Sequence, residues 1–247
     1  MTIKIKTGIE GLDKILSGGL QEASSLLVTG APGTGKTIMA LQFIYNGAKL
    51  SNDPGIFITA EEGLDYIRDM ALALGMDFEA YEKKGKITLI EKPVIYLKGG
   101  IASIQGLIEL IRQKKVKRVA LDSLTFFEYI YQGTSRNEIE FRRQVLLFIQ
   151  EMKKCNVTFM AVAERKNTDL DNFQYEMMDF LFEGFILLSR IRKGSFFERV
   201  LSVIKMRGQE HSLDIYPISI GKEGLKILTD TTPFSLVESE GREKSKK

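Results

Sequence analysis

The sequence predicts an α/β fold, a mostly parallel central sheet flanked by helices, with antiparallel strands added at its C-terminal side. Three observations carry this. Short apolar runs alternate with amphipathic stretches as far as residue 162. The first run leads directly into a glycine-rich segment, Gly30-Ala31-Pro32-Gly33-Thr34-Gly35-Lys36-Thr37, and an apolar helix pattern leaves it. Beyond residue 184 the texture changes to two β-rich pairs joined by glycine-bearing turns.

The elements follow in order. Residues 24–29 read as a buried strand, and residues 38–44 as the helix that leaves the glycine-rich segment. Residues 55–60 form an apolar run long enough for a strand buried on both faces. A helix is expected over 64–74, stopped at Gly75, then a strand at 87–90 and a helix at 101–113. Residues 118–122 are a strand ending in Asp122. Residues 137–154 are strongly helical, with Val145, Leu146, Phe148, Ile149 and Met152 as the expected apolar stripe, and 157–162 is the next strand. Residues 185–191 and 196–204 read as one hairpin, 213–220 and 225–228 as a second.

Composition narrows the class. Within 247 residues, 44% hydrophobic content supplies a core, and no low-complexity linker divides it, so one domain over 1–237 with a charged, frayed tail at 238–247 is expected. Lys+Arg 35 against Asp+Glu 32 leaves +3, too balanced for a general polyanion binder. The lone Cys155 excludes an intrachain disulfide and suits a reducing compartment. No apolar run approaches the ~20 residues a bilayer span needs, and residues 1–6 alternate Ile and Lys rather than forming a signal-peptide core, so no membrane partner and a cytoplasmic location are expected.

The glycine-rich segment fits G-x-x-x-x-G-K-S/T, a loop whose backbone N–H groups cradle phosphates where glycine leaves room for close approach. In that role Lys36 neutralises β/γ oxygens and the Thr37 hydroxyl ligates Mg²⁺, while the following helix, beginning near Ile38, turns its positive end to the anion. The metal side needs a carboxylate at a neighbouring strand tip, which Asp122 supplies. Glu61 and Glu62 follow the 55–60 strand to the same edge; Glu61 is the expected water-orienting residue and Glu62 its support, although both also suit the first turn of the next helix. Lys205 and Arg207 are two apart, so a strand points both to one face. From spacing alone they are either a charge-stabilising pair or a solvated edge-strand device, with His211 in a polar turn behind them.

Taken together, Thr7-Gly8-Ile9-Glu10-Gly11-Leu12-Asp13, Leu16-Ser17-Gly18-Gly19-Leu20, the phosphate loop, Glu61-Glu62, Leu121-Asp122-Ser123 and Lys205-Met206-Arg207-Gly208-x-x-His211 resemble the KaiC-like branch of the RecA/RadA ATPases. The resemblance runs from about Thr7 to Leu228 and is nearest in type to the archaeal single-domain KaiC-like proteins. It implies a RecA-like core that binds ATP/ADP with Mg²⁺, assembles into hexameric rings with ATP at subunit interfaces, and uses nucleotide state to switch shape or the binding of an unidentified protein client. It makes Glu61 the catalytic glutamate and Thr37 and Asp122 the metal-side residues. It sends Lys205, Arg207 and His211 to the nucleotide of the adjacent subunit, in the manner of an arginine finger. The chain departs from the two-domain clock protein by holding one copy of the core, and by carrying Asp179-Phe180 where that protein has its neighbouring Ser and Thr phosphoacceptors. It also has Glu183-Gly184 in place of the usual Asp-Gly.

Two other functions remain open at this stage. In a DNA-binding ATPase of RecA type the loop 164–179 would track a strand, yet its acids Glu164, Asp169, Asp171, Glu176 and Asp179 outnumber Arg165 and Lys166. DNA is therefore not the favoured partner. A nucleotide-binding scaffold with negligible turnover would keep the same loop, since sequence does not set a rate.

Overall fold

The computed structural model describes residues 3–91, 100–124, 138–170 and 172–233. The expected tail at 238–247, the first residue of the 137–154 helix and Asp171 lie outside the described residues.

The chain opens with strand β1 (Lys4–Ile5), one helical turn α1 (Leu12–Ile15) and strand β2 (Leu20–Gln21), the two strands pairing antiparallel as a small separate sheet. The sequence reading contained none of these, because two-residue strands are too short to show a period. Their motif residues fasten the chain. The Asp13 carboxylate accepts from the Thr7 amide and hydroxyl, each at 2.8 Å. Gly11 turns at φ 82° where a Cβ would lie 2.3 Å from the Ile227 carbonyl.

Strand β3 (Ser25–Gly30) leads through the phosphate loop into helix α2 (Lys36–Leu50), then β4 (Gly55–Thr59), α3 (Leu64–Ala73), a short α4 (Phe78–Lys83) and β5 (Ile87–Glu91). Helix α4 was not foreseen; Asp77 starts it by accepting from the Ala80 amide at 2.9 Å. Helix α5 (Gly100–Lys114), strand β6 (Arg118–Asp122), helix α6 (Glu138–Lys154) and strand β7 (Thr158–Glu164) complete the alternating part. Strands β8 (Gly184–Lys193), β9 (Phe196–Met206), β10 (Ile215–Gly221) and β11 (Gly224–Ile227) follow.

These form a nine-stranded sheet in the order β11-β10-β9-β8-β3-β7-β6-β4-β5. Strands β5, β4, β6, β7, β3 and β8 are parallel, and β9, β10 and β11 continue antiparallel. Both hairpins fall where the sequence puts them, except that the first strand of the first hairpin, β8, is itself a parallel neighbour of β3.

Alternation of side chains across the pleat builds two cores. Leu26 and Val28 of β3 join Met39, Phe43 and Ile44 of α2 on one face, while Leu27 joins Leu107 and Ile111 of α5 and Val145 and Phe148 of α6 on the other. Leu146, expected in the α6 stripe, is instead 38% exposed, because it sits about 100° round the helix from Val145.

A fully buried guanidinium ties these layers at the start of β6. Arg118 donates to Asp53 Oδ2 from Nη2 at 2.9 Å and to the Phe43 carbonyl from Nη1 at 3.2 Å. Its stem passes so close to Gly47 that a Cβ there would lie 2.4 Å away. Removing one partner of a buried pair strands the other charge. Asp53→Ala is therefore expected to lower unfolding free energy by about 3–5 kcal/mol, read from urea denaturation.

Candidate functional site

Every residue of β3 is buried, and the strand ends against β8 with no room for a side chain. A Cβ on Gly30 would stand 2.4 Å from the Leu188 carbonyl oxygen and 2.7 Å from Thr34 Oγ1. Gly33 and Gly35 carry the loop round with φ of 77° and 105°. The Thr34 hydroxyl donates to the Ala31 carbonyl at 2.8 Å and holds the turn. Helix α2 then begins at Lys36 with no acidic residue in its first turn, which leaves its positive end uncompensated. Pro32 is exposed on the loop, and Ile38 is half-buried and packs against the α2-side core.

Lys36 is buried and folds back over the loop. Its ammonium donates to the carbonyls of Gly30 at 2.9 Å and Ala31 at 3.1 Å. Burial pushes its pKa down, and the carboxylates of Glu164, Asp122 and Glu61, in that order of strength, act to keep it charged. Thr37 lies half-buried beside Asp122 and its hydroxyl hydrogen-bonds that carboxylate. Desolvation raises the Asp122 pKa, the Thr37 hydrogen bond and Lys36 oppose the rise, and Glu61 and Glu62 add to it.

The acids of the β4 edge are shaped by a local turn. The Glu62 amide donates to Thr59 Oγ1 at 3.1 Å, and the Thr59 hydroxyl donates to the Glu62 carbonyl at 2.9 Å. The Ser123 hydroxyl, one residue past Asp122, donates to Glu61 Oε1 at 2.9 Å. Glu61 thus stands within electrostatic range of both Lys36 and Asp122, and Glu62 within range of Asp122. Hard oxygens from Thr37 and Asp122 in contact fit the donor set Mg²⁺ prefers.

Arg199 escaped the sequence reading, and Glu164 enters it only as an acid of the 164–179 loop. Glu164 pairs in register with Gly30 and is the foremost carboxylate acting on Lys36; its position one strand-end beyond residues 157–162 could have marked it. Arg199 Nε donates to the Gly33 carbonyl at 3.0 Å, a contact that depends on the register of β9 and left no trace in the pattern.

Lys205, Arg207 and His211 are not brought to this loop. Gly30 is in register with Leu188 and through it with Leu201, whereas Lys205 pairs with Phe185 and Met206 with Gly184. At about 3.3 Å per residue the four positions from Leu188 to Gly184 displace the cation pair some 13 Å along the strand direction, toward the opposite end of the strands, with β8 also lying between β9 and β3. β10 covers β9 only at Val200–Ser202, so the edge-strand alternative stays open for Lys205, and Arg207 lies in the turn just past the end of β9. Burial and Arg207 push the pKa of half-buried Lys205 down. His211 Nδ1 lies 2.9 Å from the Ser212 carbonyl, in an open cavity of about 650 Å³ that Lys14, Gln209 and Tyr216 also line. In the loop after β7, Arg165 is turned inward with its side chain 1% exposed, which removes one of the two cations offered to a nucleic acid.

Comparison with known proteins gives the family and the fold. A family model for the KaiC ATPase matches residues 5–232. The circadian clock oscillator proteins KaiC of Parathermosynechococcus lividus and Prochlorococcus marinus subsp. pastoris are 35% and 34% identical to the chain, each across 91% of it. The chain spans only 42% and 45% of those relatives' lengths. The crystal structure of a KaiC-like protein from Pyrococcus horikoshii OT3 is similar at a TM-score of 0.79 with 31% identity, covering 92% of this chain and 99% of that one. No helix among the described residues is long and apolar enough to cross a membrane.

Because burial raises the Asp122 pKa in the folded state, Asp122 contributes stability when protonated and loses it as pH rises through that raised value. Asp122→Asn, which keeps an acceptor for Thr37, is expected to melt higher than the parent at pH 7 without nucleotide, with the difference closing toward pH 4. Each 1 kcal/mol recovered appears as about 2–4 °C in a calorimetric scan.

Proposed function

The chain belongs to the KaiC ATPase family, and on that premise we propose that it is a Mg²⁺-dependent, ring-forming ATP hydrolase whose nucleotide state switches its shape or its binding of a protein client. The observation that carries the catalytic part is the meeting of Lys36, Thr37, Asp122 and Glu61 at one end of the parallel strands. The phosphate loop binds the triphosphate through backbone N–H groups, and Lys36 exchanges two carbonyl acceptors for phosphate oxygens. Thr37 and Asp122 would hold the metal, which when bound draws charge from the β- and γ-phosphates. Glu61, oriented by the Ser123 hydroxyl, positions the attacking water and takes up its proton.

The ring reading rests on the opposite end of the strands. Lys205, near the end of β9, and Arg207, in the turn just after it, are cations set well along the strands from their own subunit's phosphate loop. In a ring, one subunit's cation end meets its neighbour's loop, and the pair stabilises charge developing on the γ-phosphate there. His211, close by, contacts the same nucleotide from that side. A scaffold without turnover would have no use for Glu61 held against Ser123, and the inward Arg165 leaves DNA binding unsupported.

Glu61→Gln is expected to lower phosphate release about 10²–10⁴-fold while ATP binding persists. Full turnover by a folded Glu61→Gln ring would falsify the catalytic assignment. The trans assignment is checked by mixing. Glu61→Gln and Arg207→Ala subunits should each be nearly inactive alone, and together should regain activity, because one kind of interface in the mixed ring is complete. Absence of recovery in rings shown to be mixed by native mass spectrometry sinks it.

A further inference from the structure

Arg165 and Asp179 form a buried ion pair, with both side chains 1% exposed. Nη2 donates to Asp179 Oδ2 at 2.6 Å and Nη1 to the Gln174 carbonyl at 2.8 Å. The guanidinium carbon lies 4.9 Å from the Phe173 ring centre and 5.2 Å from that of Phe185, while Nε finds no acceptor among the described residues. A desolvated pair with a donor unmet contributes little stability compared with apolar side chains of the same volume. Its connections say more about its use.

At one end the pair is joined to the phosphate loop. The Arg165 amide donates to the Gly30 carbonyl at 3.2 Å, the same oxygen that accepts from Lys36, and the preceding residue Glu164 is the leading carboxylate acting on Lys36. At the other end it meets the cation pair. Asp179 Oδ2 accepts from the Glu176 amide at 2.7 Å, which fixes the 3-10 turn Met177–Phe180. The carbonyl of Phe180, the next residue, accepts from Arg207 Nη2 at 3.1 Å. Phe185, beneath the guanidinium, is the register partner of Lys205.

We propose that the Arg165–Asp179 pair is a relay, through which occupancy of a subunit's own phosphate loop sets the position of the Lys205 and Arg207 that it offers to its neighbour. The inference rests on the reading that those two cations act across a subunit boundary. A phosphate competes with the Gly30 and Ala31 carbonyls for Lys36, which changes the load on the Gly30 oxygen and the field around Glu164. The Glu164–Arg165 backbone responds. A planar fork bonded on two sides cannot absorb the shift by rotating, so it passes to Asp179, the 3-10 turn and the Phe180 carbonyl. Arg165 and Asp179 are positioning residues and touch no substrate.

The test compares assembled rings of the parent, of Arg165→Met/Asp179→Leu, which removes both charges at similar volume and preserves the core, and of the conservative Asp179→Glu. Affinity for a fluorescent ADP analogue reads the subunit's own loop, and ATP turnover against ATP concentration reads the coupling. In the parent a Hill coefficient above one is expected. In the double variant it should fall to one, with turnover about tenfold lower and ADP affinity within about twofold, and Asp179→Glu should recover part of both. An unchanged Hill coefficient and turnover in the double variant, or a parent coefficient of one, overturns the relay. If Arg207→Ala itself turns over normally, the trans reading fails and the relay with it; if Arg207→Ala is impaired and the double variant is not, the relay alone fails.

Discussion

The carbonyl oxygen of Gly30 accepts two hydrogen bonds, from the Lys36 ammonium at 2.9 Å and the Arg165 amide at 3.2 Å, and the site is arranged around that atom. Strand β3 ends there between β7 and β8, with Gly30 facing Glu164 on one side and Leu188 on the other. A larger residue would strike the Leu188 carbonyl and Thr34 Oγ1, so the loop could not leave the sheet at this point. The register is equally binding. A slip of one residue between β3 and β7 would reverse the faces of Met160 and Ala161, which belong to opposite cores, and move Glu164 away from Lys36. The two-sided apolar packing of the parallel strands therefore also sets the electrostatics at their ends.

Two buried arginines show how similar chemistry can serve different ends. Arg118 sits at the start of a central strand with Asp53, Ser51 and the Phe43 carbonyl around it, all belonging to α2 and the segment that follows it. Every neighbour is part of the packed scaffold, so the pair adds rigidity. Arg165 lies at the other end of the neighbouring strand, between the phosphate loop and a four-residue 3-10 turn. One side of it is scaffold and the other a short turn with exposed Met177 and Phe180, so displacement has somewhere to go.

Much of the fold could be read from the chain because parallel strands buried on both faces appear as uninterrupted apolar runs, and the helices between them carry their own period. Glu61 and Asp122 were legible for a related reason: in a parallel sheet all strand ends face one way, so an acid after each apolar run reaches the same edge. Antiparallel order is different. The β-rich runs after residue 184 announce hairpins without saying how far each strand is covered, so nothing in the pattern tells that β10 pairs β9 only at Val200–Ser202 and stops short of Lys205. Arg199 was invisible on the same ground. Glu164 was counted only as loop charge, because its meaning depends on Gly30 lying opposite it. The opening Thr7–Asp13 motif was recognisable as a motif, yet its job is mechanical: Asp13 gathers the Thr7 and Gly8 amides, and Gly11 lets the turn pass under Ile227.

The distance between the two ends of the strands decides what the cation pair can do. Over the ~13 Å strand offset alone, unit charges in partly solvated protein interact by at most about 0.3–1.3 kcal/mol at effective dielectric constants of 80 to 20, and that separation exceeds a Debye length at physiological salt. Lys205 and Arg207 therefore cannot stabilise charge on their own subunit's phosphates to a degree that matters for catalysis. Within one subunit their arrangement is unfavourable: Lys205 is half-buried near the end of β9, Arg207 repels it, and Asp179, the carboxylate that eases both burdens, is already committed to Arg165. An anion delivered from outside relieves that repulsion, and the group best suited to deliver it is the phosphate chain on a second copy's loop. In the proposed ring, the repulsion within the pair and the uncompensated N-terminus of α2 would be two halves of one interaction, each costly until the other arrives.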